Sequence, residues 1–448
     1  MAYTGAAKKL IDRYKASEGD FVLVEDDATY RGVLMPRTDL SSDEFLVVKL
    51  DSGYNIGIRI GKKTRIQKLE MPKEEKAKVQ AVKHNPSLKT IAVLHTGGTI
   101  ASKVDYRTGG VVSAFSPEEL LALFPKLDGK ANFRPKFISN MWSEDMNFAH
   151  HQALAEEAAK QIKSGAEGVI IGHGTDTMHY TSAMLSFMLQ DLPVPVVLVG
   201  AQRSSDRGSS DAEVNLLCAT HFATKGDYAG VCMCMHENSS DEACLVIEGT
   251  KARKMHTSRR DAFRPINQGP LARVWADGRI EWLRQDYPKK DEKRKVKLLD
   301  KCEEKTALVK MHPGIDPGII AYYGKKGYKG MVIEGTGLGH APINKIDEHT
   351  KKNFEMFENI SEFIEGGGVV VMASQCIYGR VNMHVYTTGR DLLNIGVIPA
   401  EDMTAETAYM KLAWALGQAK DTKKAKELML TNIAGEMTEK TKENTYLK

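Results

Sequence analysis

The chain has 448 residues, with 62 basic and 58 acidic side chains, a formal charge of +4, 42% hydrophobic and 27% charged residues; this is the composition of a soluble globular protein long enough for roughly two or three domains. Its near-balanced charge neither demands nor excludes a nucleic-acid partner. Apolar runs such as 194–201 are too short to span a membrane, and the first residues, with Lys8, Lys9 and Asp12 close together, lack the apolar stretch of a signal peptide, so a cytoplasmic location is expected.

Residues 1–71 open with a predicted helix over 6–16, followed by short β-segments at 21–24, 30–35 and 45–50. Asp51-Ser-Gly53 then leads into an apolar-alternating stretch, 54–60, that reads as a hairpin. So many short strands in so few residues predict a small β-barrel-like domain. Residues 72–87 are charged, carry Pro72 and Pro86, and read as a linker. From 88 to 286 compact apolar runs (90–95, 168–172, 194–200, 230–235) alternate with helical stretches (147–164, 180–189), the pattern of parallel strands buried beneath helices. A charged connector, 287–305, precedes a second lobe, 306–420, with strands at 307–311, 330–334 and 368–373 and a late helix at 404–417. The Lys/Glu-rich tail, 421–448, is expected to be partly mobile. The fold class is therefore α/β, two lobes with mostly parallel sheets behind a small N-terminal β-barrel.

Six cysteines do not suggest a disulfide framework. Cys232, Cys234 and His236 form one cluster in an apolar strand, and no second Cys/His pair completes a ligand set, so core packing is expected and no metal. Two stretches are locally basic, 251–264 and 289–297; the second reads as a solvated linker rather than an RNA patch.

Chemistry concentrates at two strand ends. Thr96-Gly-Gly-Thr99 follows the apolar run 91–94, and ligands of open α/β sheets bind beyond the carboxyl ends of strands. Its glycines, Gly98 among them, let the backbone approach a ligand and present amide N–H groups to an oxyanion. The segment 170–174 repeats the arrangement, ending in His173-Gly174 and delivering Thr175-Asp176-Thr177. Asp176 can accept from an α-ammonium group, and Thr175 can orient a water or assist a nucleophile. Thr177 is also placed to N-cap a helix starting at Met178. A threonine nucleophile needs a base, and His95, His173, His179 and Lys254 are all candidates.

Thr96-Gly-Gly-Thr-Ile-Ala101 and His173-Gly-Thr-Asp-Thr-Met178 resemble the two signature segments of the type I/II L-asparaginase family, supported by Ser143-Glu-Asp-Met-Asn147, Gly200-Ala-Gln-Arg203 and Gly335-Thr-Gly-Leu-Gly339. The resemblance covers residues 88–420. It implies a two-lobed asparaginase-type fold in which Thr99 is the nucleophile, Thr175 the second catalytic threonine, Asp176 its partner and a substrate ligand, and Lys254 the lysine interacting with both. It implies that Ser143 holds the substrate α-carboxylate, with Gly98 and Gly174 lining the same pocket. Two departures bear on the substrate. The loop tyrosine expected after the first motif has only Tyr106 as a counterpart, at an uncertain alignment. Glu144 stands where bacterial asparaginases often carry glutamine, and its carboxylate could pair with a substrate ammonium.

The N-terminal block is foreign to ordinary asparaginases. Gly19-Asp-Phe-Val-Leu-Val24, Tyr30-Arg-Gly-Val-Leu-Met35 and Asp51-Ser-Gly-Tyr-Asn-Ile-Gly57, joined to the rest, resemble the D-type subunits of archaeal-type glutamyl-tRNA(Gln) amidotransferases. That resemblance implies hydrolysis of glutamine and delivery of its ammonia to a partner, the amidotransferase's E-type subunit, which uses ATP and magnesium to convert Glu-tRNA(Gln) to Gln-tRNA(Gln). It also implies a homodimer core within a heterotetramer of two copies of each polypeptide. No cofactor is expected in this chain, and no G-x-x-x-x-G-K-[ST] loop is present. The alternative is a stand-alone L-asparaginase or glutaminase. With every site candidate beyond residue 89, the N-terminal domain is expected to serve partner docking rather than chemistry.

Overall fold

The computed structural model describes residues 3–36, 42–51, 54–71, 84–104, 111–113, 124–205 and 208–446. The N-terminal unit consists of helix α1 (Gly5–Arg13) and strands β1 (Phe21–Glu25), β2 (Thr29–Leu34), β3 (Phe45–Leu50), β4 (Asn55–Arg59) and β5 (Arg65–Lys68). They form one antiparallel sheet in the order β4-β3-β2-β1-β5. Ala7 and Ile11 of α1 pack on Val22, Val24, Leu34, Leu46, Val48, Ile58 and Ile66, one face of that sheet. The expected small β-domain is thus a five-stranded antiparallel sheet covered by a helix, with β4 and β5 as its edges among the described residues. β5 was not foreseen, because Arg65-Ile-Gln-Lys68 offers a single buried residue, Ile66; its pairing with β1 makes it a strand.

The first lobe is built on an eight-stranded sheet. Its elements are β6 (Thr90–Gly97), a hairpin of β7 (Ser102–Val104) and β8 (Val111–Ser113), then β9 (Asn132–Met141) and β10 (Gly168–Gly172). There follow β11 (Leu189–Gln190), β12 (Val196–Val199), β13 (Val231–His236) and β14 (Ala243–Glu248). A separate two-stranded ribbon, β15 (Ala252–Lys254) with β16 (Phe263–Pro265), precedes β17 (Ala272–Trp275) and β18 (Ile280–Trp282). The sheet order is β18-β17-β14-β13-β12-β10-β6-β9, parallel from β9 to β13 and antiparallel beyond. Strands β10, β12 and β13 are buried at every residue, as befits parallel strands covered on both faces. Alternation divides the two cores: Val169 and Ile171 meet α2 (Phe148–Lys163) and α3 (Met178–Met188), while Ile170 meets α4 (Ala212–Lys225). Cys232 and Cys234 lie in β13, reduced and buried, and burial pushes the Cys232 thiol well up.

The second lobe carries β20 (Thr306–Lys310), β21 (Gly330–Gly335), β22 (Val369–Ser374) and β23 (Ile398–Pro399), all parallel. Its helices are α5 (Gly318–Lys325), α6 (Asn353–Glu365), α7 (Thr387–Asn394), α8 (Ala405–Gln418) and α9 (Thr422–Leu430). Helix α8 joins the lobes: Leu412, Ala413 and Trp414 share one core with Met184 and Phe187 of α3 and with Val332 and Val371 of the second sheet.

The tail is packed as far as Thr438 and exposed over 439–444: Asp421 caps α9, Ala425 and Met429 are buried, Glu436 is fully buried against Lys411, and Thr438 donates to Asp402. The apolar spacing 425, 428, 429 was hidden among lysines and glutamates. The basic connector 289–297 is mostly exposed, as expected of a solvated linker, and is held at its ends: β19 (Lys297–Leu298) pairs with β11 and the Lys290 ammonium donates to Ala223 O at 3.0 Å, burial pulling its pKa down to about 8. No described helix is long and apolar enough to cross a membrane.

Candidate active site

Strands β6 and β10 are parallel neighbours, with Leu94 opposite Ile171 and His95 opposite Gly172, so both motifs leave the sheet at the same edge. Gly97 and Gly98 then turn the chain at φ +101° and +79°, a region that L side chains avoid. The approach is equally demanding. A Cβ on Gly98 would lie 2.4 Å from Gly174 Cα, and one on Gly174 would lie 2.8 Å from Ser143 Cβ. Three segments distant in sequence thus press against one another through Gly98, Gly174 and Ser143, with Thr99 and Thr175 each one residue beyond its glycine. Thr99 begins a short 3-10 turn and is partly exposed.

The lysine arrives from elsewhere. β15 carries Lys254, whose Nζ donates to Thr175 Oγ1 at 2.9 Å and to Asp176 Oδ1 at 2.7 Å. Lys254 is 10% exposed and Asp176 63%, so a carboxylate facing solvent is paired with a cation held from behind. The Thr175 hydroxyl donates to Gln202 Oε1 at 3.5 Å. Gln202 is fixed by its own backbone, its N–H donating to both oxygens of the buried Asp211 at 3.0 Å. Ser143 Oγ accepts from the Asp176 amide at 3.2 Å, and its carbonyl accepts from Thr177 Oγ1 at 2.6 Å. Thr177 does occupy the N-cap position of α3, but its hydroxyl serves Ser143 instead of capping the helix. Glu144 is exposed beside Ser143.

Geometry separates the candidate bases. His173 engages Gly174 O through Nδ1 at 2.5 Å and the Thr181 hydroxyl through Nε2 at 2.9 Å, leaving neither nitrogen for Thr99 or Thr175. Burial pulls the pKa values of His95, His173 and His179 down to about 4. Lys254 is the candidate in contact with both Thr175 and Asp176. Tyr106 lies outside the described residues. A cavity of about 600 Å³, lined by Glu248, Arg284, Asp286 and the stretches 432–435 and 437–440, includes none of the residues named for the site. What sequence reasoning left unassigned is Gln202, although its motif was singled out, and the anchoring of β15.

The arrangement is that of an asparaginase-type amidohydrolase: hydroxyls at two strand ends, a lysine–aspartate pair on one of them, and a serine supporting the pair. Residues 90–288 match the family described as Asparaginase, N-terminal, residues 305–429 the Glutaminase/Asparaginase C-terminal domain, and residues 16–69 the GatD N-terminal domain. The thermostable L-asparaginase of Thermococcus kodakarensis superposes with a TM-score of 0.69 at 31% identity, covering 78% of this chain and 100% of that one. L-asparaginase I of Vibrio cholerae gives 0.68 at 30%, covering 78% and 99%. The D-type subunit of the glutamyl-tRNA(Gln) amidotransferase of Pyrococcus furiosus is 52% identical over 96% of this chain and 97% of its own length. Its counterpart in Methanothermobacter thermautotrophicus is 46% identical over 98% of each. This chain belongs to the family of glutamyl-tRNA(Gln) amidotransferase D-type subunits.

Proposed function

We propose that this chain is the glutaminase component of a tRNA-dependent amidotransferase. The observation that carries the reading is the Lys254 ammonium bridging Thr175 and Asp176, in a chain that matches its amidotransferase relatives along nearly its whole length. Thr99 Oγ attacks the carboxamide carbon of glutamine and its proton passes to the leaving nitrogen. Ammonia departs, leaving a glutamyl ester on Thr99. Water, oriented by Thr175 with Lys254 and Asp176 relaying the proton, then cleaves the ester to glutamate and restores the hydroxyl. Ser143 and the Gly98 and Gly174 backbone hold the amino-acid end, and Asp176 with Glu144 faces its ammonium. The ammonia goes to a partner, the E-type subunit, which supplies the ATP and magnesium chemistry on Glu-tRNA(Gln). A homodimer of this chain forms the centre of a heterotetramer in the cytoplasm. The rival, a free asparaginase, leaves the unit at 16–69 without a use, and solved asparaginases cover only 78% of the chain.

The test is Thr99→Ala in the complete amidotransferase. Glutamine-dependent formation of Gln-tRNA(Gln) should vanish while formation driven by ammonium chloride persists. Equal loss of both would assign Thr99 a structural role, and rapid asparagine hydrolysis by the isolated wild-type chain would favour the rival.

A further inference from the structure

The two halves of the site ride on different scaffolds. Thr175 and Asp176 sit at the end of β10 in the central sheet, whereas Lys254 sits on the β15–β16 ribbon, which belongs to no larger sheet among the described residues. A two-stranded ribbon is marginal by itself, so something else must set the position of the Lys254 ammonium. Strand alternation supplies the means: with Ala252 and Lys254 turned inward, Arg253 points to the opposite side, as does Lys251 just before the strand. Both of these cations reach the start of α8 in the second lobe. Lys251 Nζ meets Asp402 Oδ2 at 2.8 Å, the two side chains being 2% and 0% exposed. Arg253 Nε meets Glu406 Oε1 at 2.8 Å. Thr407 Oγ1 donates to Thr250 O at 2.9 Å, and Asn267 Nδ2, just beyond β16, donates to Asp402 O at 2.8 Å.

The same helix holds the other half. α8 packs along α3, with Trp414 and Phe187 ring centroids 5.8 Å apart, and α3 begins two residues after Asp176. Burial alone would raise the Glu406 carboxyl, yet the Arg253 guanidinium holds it below the usual carboxylate range. We propose that Glu406, in the first turn of α8, and Asp402, three residues before that helix, are positioning residues that hold the Lys254 ammonium against Thr175 and Asp176. This rests on the reading of Lys254 as part of the amide-hydrolysing machinery. The second lobe thereby enters the chemistry of the first without touching the substrate.

The experiment measures glutamine hydrolysis by the full-length chain in its complex, for Glu406→Gln, Glu406→Asp, Lys254→Ala and the double variant Glu406→Gln/Lys254→Ala. Displacing a group by about 1 Å costs up to about 100-fold in rate, so Glu406→Gln should lower kcat about 10- to 100-fold with KM little changed. Glu406→Asp should recover part of the loss. In the Lys254→Ala background Glu406→Gln should have no further effect, since residues acting as one unit are non-additive. A full additional loss in that background overturns the proposal, as does an unchanged kcat in Glu406→Gln. Should Glu406→Gln fail to fold, Arg253→Gln, made at the more exposed end of the same pair, takes its place in the cycle. If Lys254→Ala alone leaves hydrolysis intact, the reading of Lys254 fails and the proposal falls with it.

Discussion

Lowering the pH from 8 to 5 should cost this protein much of its stability through four histidines that pack around the site. Burial pulls His95, His173 and His179 down to about 4, and His151, deeply buried, to about 3, against an ordinary value of 6.5. In the folded chain these rings stay neutral, while in the unfolded chain they take up protons below pH 6.5. The unfolded state therefore binds more protons between pH 6.5 and 4, and stability falls as pH falls through that window. For one ring titrating at 6.5 unfolded and about 4 folded, the difference at pH 5 relative to pH 8 is about 2 kcal/mol. Four rings, taken as independent, give about 8 kcal/mol, a large part of a typical total of about 5–15 kcal/mol. One buried carboxylate works the other way, because burial raises Glu248. Urea unfolding followed by circular dichroism at pH 8, 7, 6 and 5 measures the trend, and His173→Gln should flatten it by about one quarter of the whole. Because His95 and His173 directly precede the two motifs, amide hydrolysis should fail over the same range. Stability that is level from pH 8 down to 5 would refute the neutral-histidine account.

Two further outcomes follow from contacts in the fold. Gly98→Ala would place a Cβ 2.4 Å from Gly174 Cα at a backbone φ of +79°; hydrolysis should drop about 100-fold or more with far-UV circular dichroism unchanged, and retained activity would show that the two motifs need not touch. Lys411→Met leaves the fully buried Glu436 without its cation and should lower the unfolding free energy by about 3–5 kcal/mol; a loss under about 1 kcal/mol would mean that the pair only recovers its own desolvation.

The elements that position the site were legible because their signals are local. The runs 168–172 and 307–311 are apolar over one strand's length, and parallel strands covered on both faces must read that way. The glycines of Thr96-Gly-Gly-Thr99 mark a close backbone approach whatever lies opposite. The chain's own residues likewise defined a resemblance that carried the paired threonines, Asp176 and Lys254 together, and the N-terminal block separated it from free asparaginases. Local signals ended there. Without the resemblance four side chains qualified equally as the base; the fold places Lys254, 79 residues from Thr175, in contact with it, while His173 is bonded away on both nitrogens. The anchors behind Lys254 join residues 151 and 153 positions apart. An ion pair across such a distance leaves no periodicity in either segment, since each partner alone looks like an ordinary surface charge. The same holds for the tail, where Glu436 sits in a Lys/Glu-rich stretch yet pairs with the buried Lys411. Local backbone preference and apolar spacing are properties of a segment; charge pairing and side-chain contact are properties of which segments meet, and only the tertiary structure decided that.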